Sequence, residues 1–279
     1  MQDVETAQIQ TPEGAYDLAK EIVLAAGAIL REKVQTERHI DHKGLVDLVT
    51  DADRASEALI ASRLRAAFPQ HRLLGEEGTR SDTADQNEPF VWIFDPLDGT
   101  TNYAHGYPHF AVSLALRWND IGLIGMVYDP MRDELFAAER GKGATLNGKP
   151  MRVSRIDSLV SALLATGFSY NLAERAENEV IWRDFLLSSQ GPRRDGAAAL
   201  NLAYVAAGRI DGFWERPLEV WDMAAGAILI EEAGGRVTSY ANGPFDPFSR
   251  QCMSSNGLLH DLMLEVIWRH EPPDAEPRG

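Results

Sequence analysis

Apolar residues recur every three or four positions in several stretches of the chain, which is the spacing that lets a helix bury one face. In the first stretch Leu18, Ile22 and Ile29 share a face, and Pro12 precedes them at a favourable first helical position. Gly208 follows another such stretch and suits the end of a helix. The pattern predicts helices over residues 12–37, 51–68, 176–188, 197–207, 222–233 and 258–269.

Shorter apolar runs predict strands. Residues 109–118, 121–128 and 134–139 are strand-like and are joined by short turns, which predicts an antiparallel meander. Asn147 and Gly148 form a dipeptide that is typical of a tight turn. Further strands are predicted over residues 72–74, 91–95, 162–166, 210–215 and 236–240.

The order of the predicted elements changes near residue 155. Helices and then a meander precede that point, whereas strands and helices alternate after it, as in an α/β layer. We therefore predict an N-terminal α+β half at residues 12–155 and a C-terminal α/β half at residues 156–270. Residues 1–11 are predicted to be a flexible N-terminus, and the Pro-rich residues 271–279 a disordered tail.

The charge and the cysteine content narrow the classes of partner and compartment. The net charge of −15 argues against binding to nucleic acid or to an anionic membrane, because both require a cationic surface. A phosphorylated substrate would need bound cations to offset that charge. Cys252 is the only cysteine, and the first ten residues lack the apolar core of a signal peptide. No apolar run approaches the roughly 18 residues of a membrane span, so we expect a cytoplasmic protein.

Acidic residues stand at the ends of predicted elements, where α/β proteins build their sites. Carboxylates are hard oxygen ligands, and Mg²⁺ binds a few of them together with water and substrate phosphate. Asp95 and Asp98 straddle a turn after an apolar strand, and the carbonyl of Leu97 between them can add a ligand. The candidate acids are Asp53, Glu76, Asp95, Asp98 and Asp222.

Gly99 and Thr100 follow directly and suit a phosphate. Gly99 lets the backbone approach an anion closely, and a helix that opens at Thr100 would offer free N–H groups. Each acid also has a simpler interpretation. Asp95 and Asp98 suit an ordinary turn, Glu76 a solvated surface, and Asp53 and Asp222 the first turn of a helix. Local spacing leaves both interpretations open.

Several segments of the chain match the motifs of a known family and occur in the same order. They are VTDAD (49–53), GEE (75–77), WIFDPLDGTTN (92–102), YDPMRDELF (128–136), LAYVAAGR (202–209), WDMAAG (221–226) and EAGG (232–235). On these segments the sequence resembles the inositol monophosphatase family of Mg²⁺-dependent phosphatases from about residue 15 to 268, and especially its bacterial inositol-1-monophosphatases. The resemblance implies a layered α-β-α-β-α sandwich, the α+β fold shared with fructose-1,6-bisphosphatase-like sugar phosphatases.

The resemblance also implies roles for individual residues. The metal ligands would be Glu76, Asp95, the Leu97 carbonyl, Asp98 and Asp222. They would hold two to three Mg²⁺ ions, for which Mn²⁺ can substitute. The catalytic residues would be Asp53, Thr100 and Glu76, with phosphate bound by Gly99 and Thr100. The substrate alcohol would be bound by Glu215, Gly196 and Ala198.

The function that these roles imply is hydrolysis of myo-inositol 1-phosphate by a metal-activated water, with inhibition by Li⁺. Histidinol phosphate, fructose 1,6-bisphosphate and adenosine 3′,5′-bisphosphate are alternative substrates within the same fold. An alternative of another class is a regulatory binding protein of the transcription machinery. By the same resemblance we expect a homodimer with a small phosphate ester as its ligand. From the net charge we expect no membrane association and no direct binding to nucleic acid.

Overall fold

The computed structural model describes residues 9–34, 40–42, 48–80, 87–169, 171–172 and 174–272. Most of the predicted flexible N-terminus and disordered tail, at residues 1–8 and 273–279, lies outside the described residues. The helices are α1 (Ala15–Lys33), α2 (Asp51–Ala67), α3 (Thr100–Ala104), α4 (Arg175–Ser188), α5 (Ala198–Ala206), α6 (Val220–Glu232) and α7 (His260–Trp268).

The strands form two main sheets. The larger sheet has seven strands in sequence order: β3 (Arg72–Gly75), β4 (Phe90–Asp98), β5 (Ala111–Trp118), β6 (Ile121–Asp129), β7 (Glu134–Glu139), β8 (Gly143–Leu146) and β9 (Lys149–Pro150). The smaller sheet has the order β11 (Pro192–Arg193), β10 (Leu164–Thr166), β12 (Gly212–Glu215), β14 (Cys252–Ser255) and β13 (Arg236–Thr238). A short hairpin joins β1 (Ile40–His42) and β2 (Leu48–Thr50).

Helices and sheets alternate in five layers, which confirms the predicted sandwich. Helices α1 and α2 cover one face of the larger sheet, helices α5 and α6 lie between the sheets, and α4 and α7 cover the outer face of the smaller sheet. The first core, under α1 and α2, contains Trp92 and Phe94. The central core, around α5 and α6, contains Val91 and Ile93. The third core, under α4 and α7, contains Trp214.

Missing side chains let the central helices approach the larger sheet and each other. A Cβ on Gly125 would lie 2.5 Å from the Ala225 carbonyl oxygen of α6. A Cβ on Gly226 would overlap Leu202 of α5. These close contacts bring the first turns of α5 and α6 near the end of β4, where the predicted acids stand.

The predicted antiparallel meander of β5, β6 and β7 is confirmed, and its ends differ from the prediction by at most two residues. Helix α1 begins at Ala15 and not at residue 12, because Gly14 adopts a left-handed conformation with φ of 74°. Strand β14 was missed, since Cys-Met-Ser-Ser has little of the β-branched and aromatic content that marks strands. Among the helices within the described residues, none is long and apolar enough to cross a bilayer.

Candidate metal and phosphate site

A cavity of about 670 Å³ opens where the ends of the two sheets meet the central helices. It brings together residues that are far apart in the sequence. The predicted site residues that line it are Glu76, Asp95, Leu97, Asp98, Gly99, Thr100, Gly196, Ala198, Glu215 and Asp222. Asp53 does not line the cavity but lies directly behind Thr100, to which it is hydrogen-bonded.

The end of β4 aims two carboxylates at the same side of the sheet. Side chains alternate along a strand, so Asp95 follows Val91 and Ile93 on the face of the central core. Asp98 is three residues further and would face the opposite side of a regular strand. The register with β5 shifts between Asp95 and Asp98, which turns Leu97 into the first core and returns Asp98 to the side of Asp95.

Asp98 also connects β4 to the first turn of α5. Its Oδ1 accepts from the backbone N–H of Ala198 at 3.0 Å, and its Oδ2 from that of Leu200 at 3.2 Å. The residue before α5, Ala197, has no side chain that could cap the helix. Asp98 therefore satisfies two free N–H groups of α5 from a distant strand.

Asp222 comes from the first turn of α6 and completes the acidic group. Its Oδ2 accepts from the backbone N–H of Glu219 at 2.8 Å, as part of a capping box. Oxygen atoms of Asp95, Asp98 and Asp222 lie within 4.8 Å of one another. We call these three residues the aspartate cluster.

Burial and mutual repulsion raise the pKa values of the aspartate cluster. Burial, followed by repulsion from Glu76, Asp98 and Asp222, holds the pKa of Asp95 well above its usual value. Burial raises the pKa of Asp98 to about 7, although backbone N–H groups oppose that effect. Burial and the charge of Asp98 also raise the pKa of Asp222. A cation would stabilise three ionised carboxylates this close together.

Glu76 is presented by a turn that a second glutamate holds in place. Glu57, a buried residue of α2, accepts from the backbone N–H groups of Glu77 and Thr79, each at 2.8 Å. Gly75 lies against the Glu57 carboxylate, where a Cβ would come within 2.9 Å of Oε2. Sequence analysis missed Glu57, because nothing in the local pattern connects α2 to the turn after β3.

Asp53 and Thr100 form a buried pair beside the aspartate cluster. Asp53 Oδ2 accepts from the N–H of Thr50 at 2.8 Å and from its hydroxyl at 2.5 Å. The Thr100 hydroxyl lies 3.1 Å from Asp53 Oδ1 and 3.1 Å from the Leu97 carbonyl oxygen, and it can donate to either. Burial raises the pKa of Asp53 to about 6, against the lowering effect of its hydrogen bonds to Thr50.

Gly99 is required by both its conformation and its surroundings. Its φ of 91° lies in the left-handed region, which other residues rarely adopt. A Cβ at Gly99 would also lie 3.1 Å from the His109 carbonyl oxygen and 3.2 Å from Ala197 Cβ. The absent side chain leaves the backbone of Gly99 and Thr100 open to the cavity.

Glu215 lines the same cavity, at the end of β12. It is 9% exposed, and burial raises its pKa to about 8 while the charge of Arg194 opposes that rise. Gly196 and Ala198 lie on the loop that precedes α5 and at its first residue. Asn102 holds this loop through a hydrogen bond of 2.8 Å from Nδ2 to the Asp195 carbonyl oxygen. Sequence analysis assigned no role to Asn102.

The sequence matches a known family and individual proteins over most of its length. The model of the inositol monophosphatase family matches residues 12–271. The chain is 43% identical to an inositol-1-monophosphatase of Synechocystis sp. over 253 residues, which cover 90% of this chain and 88% of that protein. It is 44% identical to the Nus factor SuhB of Pseudomonas aeruginosa over 240 residues, which cover 85% of this chain and 89% of that protein.

Solved structures of similar proteins have the same fold. An inositol monophosphatase of Anabaena (Nostoc) sp. superposes with a TM-score of 0.83 at 40% identity, covering 97% of this chain and 98% of that one. The extragenic suppressor protein suhB of Bartonella henselae superposes with a TM-score of 0.84 at 38% identity, covering 90% of this chain and 97% of that one.

Proposed function

The chain belongs to the inositol monophosphatase family, a family of phosphatases, and from that premise we propose that it is a Mg²⁺-dependent phosphomonoesterase. We propose myo-inositol 1-phosphate as its substrate and inositol and phosphate as its products. The observation that carries this proposal is the aspartate cluster, whose oxygens lie within 4.8 Å of one another beside Gly99, Thr100 and Glu215.

The donor set of the aspartate cluster fits divalent cations. All three members offer carboxylate oxygens, which are the ligands that Mg²⁺ and Mn²⁺ prefer. The backbone N–H groups that donate to these carboxylates, including that of Leu97 at 2.8 Å from Asp95 Oδ1, leave further oxygen lone pairs for metals. We assign one ion to Glu76, Asp95 and the Leu97 carbonyl, and a second to the aspartate cluster. Glu76 also suits a third, weaker ion.

Bound cations would supply an activated water and would stabilise the charge that develops on the leaving oxygen. Thr100 would orient that water: its hydroxyl donates to Asp53 Oδ1 and keeps lone pairs that accept a hydrogen bond from the water. Asp53 would hold the Thr100 proton in this orientation. The backbone N–H groups of Gly99 and Thr100 would bind phosphate oxygens, and Glu215 with the backbone at Gly196 and Ala198 would bind the hydroxyls of the alcohol.

A panel of phosphate esters tests the proposed substrate. The esters are myo-inositol 1-phosphate, histidinol phosphate, fructose 1,6-bisphosphate and adenosine 3′,5′-bisphosphate, each assayed by phosphate release over a Mg²⁺ titration. We expect the highest kcat/KM for myo-inositol 1-phosphate and no turnover in excess chelator. A preference of about tenfold for another ester, equivalent to about 1.4 kcal/mol of transition-state stabilisation, would replace inositol phosphate as the substrate.

A second candidate function is a regulatory contact with the transcription machinery. It is supported by the 42–44% identity to proteins named Nus factor SuhB in Escherichia coli and Pseudomonas aeruginosa. The aspartate cluster does not argue against this role, because a phosphatase site and a docking surface can lie on one fold. Pull-down of RNA polymerase and its accessory factors with the wild-type chain and with Asp95→Asn would separate the two. Retention by both proteins would indicate a regulatory role that does not depend on the site.

We further propose that the chain acts as a homodimer in the cytoplasm, without binding membranes or nucleic acid directly. The net charge of −15 supports the absence of binding to membranes and nucleic acid, because an anionic protein surface repels anionic lipids and phosphate backbones. Sedimentation of the purified protein at micromolar concentration tests the dimer, and a monomer across that range would refute it.

A further inference from the structure

We propose that Gly167 determines which alcohols the cavity accepts, because its missing side chain leaves the space that the Glu215 carboxylate occupies. The inference rests on the proposed role of Glu215 as the residue that binds the substrate alcohol. Gly167 lines the same cavity as Glu215 and the aspartate cluster, but it follows β10 and is 48 positions away from Glu215 in the sequence.

The register of the smaller sheet brings the two residues together. Strands β10 and β12 are parallel neighbours, and Thr166 pairs with Trp214 at their last shared position. Gly167 directly follows β10 and Glu215 is the last residue of β12, so the two residues lie side by side. Ala165 and Phe213, two positions earlier, both lie in the central core. By the alternation of a strand, Gly167 and Glu215 face the same side, towards the cavity.

Contact between the two residues is closer than any side chain at position 167 would permit. An ideal Cβ built on Gly167 would lie closer than 3.0 Å to both carboxylate oxygens of Glu215 and to the carbon between them. Cβ atoms do not approach other atoms that closely. The carboxylate would therefore have to move if residue 167 were alanine.

The backbone at Gly167 does not itself require glycine. The glycines with a positive φ include Gly99 and Gly196 of the same cavity, but not Gly167. An alanine at this position would not have to adopt a left-handed conformation, so its main effect would come from the space that Glu215 now fills. This makes Gly167 a clean probe of the position of Glu215.

A ring of buried hydrogen bonds fixes Gly167 in place. The indole N–H of Trp214 donates to Asn178 Oδ1 at 2.9 Å, and Asn178 Nδ2 lies 3.1 Å from the Thr166 hydroxyl oxygen and also donates to the Gly167 carbonyl. The Thr166 hydroxyl closes the ring by donating to the Trp214 carbonyl oxygen at 2.6 Å. These side chains are almost fully buried. Because the ring prevents Gly167 from retreating, Glu215 would have to move instead.

The position of Glu215 matters only for substrates whose alcohol carries hydroxyl groups besides the one that is esterified to phosphate. A displaced carboxylate would lose its hydrogen bonds to a polyol, whereas an apolar leaving group makes no such bond. Gly167 is in this sense a positioning residue, acting through Glu215 on the alcohol and not on the metals or the phosphate.

The test compares Gly167→Ala with the wild-type chain on two esters. One is the hydroxylated ester of the panel that the wild type hydrolyses fastest, and the other is p-nitrophenyl phosphate, whose leaving group has no alcohol hydroxyl. Gly243→Ala is the matched control, since Gly243 lies outside the cavity and a Cβ there would meet only Ser239 Oγ, at 3.4 Å. We expect Gly167→Ala to lower kcat/KM for the hydroxylated ester about tenfold or more, as for a lost hydrogen bond to a charged group. We expect kcat/KM for p-nitrophenyl phosphate to stay within about threefold of the wild-type value.

A double-mutant cycle separates positioning from general damage. In a Glu215→Ala background the space is empty, so Gly167→Ala should lower kcat/KM for the hydroxylated ester by no more than about twofold further. Equal losses on both esters, or the same loss in both backgrounds, would overturn the inference, as would wild-type selectivity in Gly167→Ala. Failure of the wild type to hydrolyse any ester of the panel would instead refute the proposed function. The melting temperatures of all variants check that each is folded.

Discussion

Replacing Glu215 by glutamine should make the metal-free chain more stable at neutral and alkaline pH. Glu215 is 9% exposed, and its burial raises the pKa to about 8 from the ordinary 4.5. Because the folded pKa is raised, the contribution of Glu215 to stability is complete below pH 4.5 and is lost as the pH rises through about 8. Glutamine has nearly the same shape and carries no charge, so it avoids this loss.

The size of the effect follows from the two pKa values. At about 1.4 kcal/mol for each pH unit, the difference between about 8 and 4.5 amounts to about 3–5 kcal/mol above pH 8 and to about 2–4 kcal/mol at pH 7. The assay is urea unfolding in excess chelator between pH 4.5 and pH 8.5. We expect wild type and Glu215→Gln to have similar free energies of unfolding at the acid end, with the variant increasingly more stable as the pH rises.

An exposed glutamate provides the matched control for Glu215→Gln. Glu265 is an exposed glutamate of α7, and Glu265→Gln should follow the wild-type pH dependence. If the curves of the wild type and Glu215→Gln run parallel across the whole pH range, burial does not penalise the Glu215 carboxylate and the electrostatic description of the cavity is wrong.

Three further predictions concern the metals and their support. Asp95→Asn should abolish phosphate release while leaving the circular dichroism spectrum unchanged, and wild-type turnover would refute the metal assignment. High Li⁺ should inhibit hydrolysis by occupying the aspartate cluster, and full activity at saturating Mg²⁺ and high Li⁺ would count against a second ion. Glu57→Ala should lower the free energy of unfolding by about 2–4 kcal/mol, because two backbone N–H groups lose a charged acceptor. The same variant should also reduce kcat, since the turn that carries Glu76 is released; unchanged values of both in urea unfolding and steady-state assays would contradict that role.

The meander of the first half could be predicted because its patterns are local. The turn residues between β5, β6 and β7 are adjacent in the sequence to the strands that they join. The hairpin turn at Asn147 and Gly148, both with positive φ, is likewise set by two adjacent residues. Strand β14 could not be predicted in this way. It lies between β12 and β13, and its pairing with these two strands, more than its own composition, makes it a strand.

The sequence was sufficient to predict the residue types of the site, but not that these residues come together in the folded chain. The spacing of Asp95 and Asp98 is visible in the sequence, whereas the register shift that puts both on one side of β4 is not. The approach of Asp222 depends on glycines such as Gly125, which let α6 lie close to the larger sheet. The contact between Gly167 and Glu215 depends on the register of two strands. Each of these features is a long-range contact that local periodicity does not encode.

The proposed function requires that acids from separate segments form one site for divalent cations. Anomalous diffraction from a crystal soaked in Mn²⁺ tests it most directly. We expect Mn²⁺ peaks that are coordinated by carboxylate oxygens of Asp95, Asp98 and Asp222 and are lost in a crystal of Asp95→Asn. Mn²⁺ peaks elsewhere on the chain, with no peak between these three carboxylates, would contradict a shared cation site.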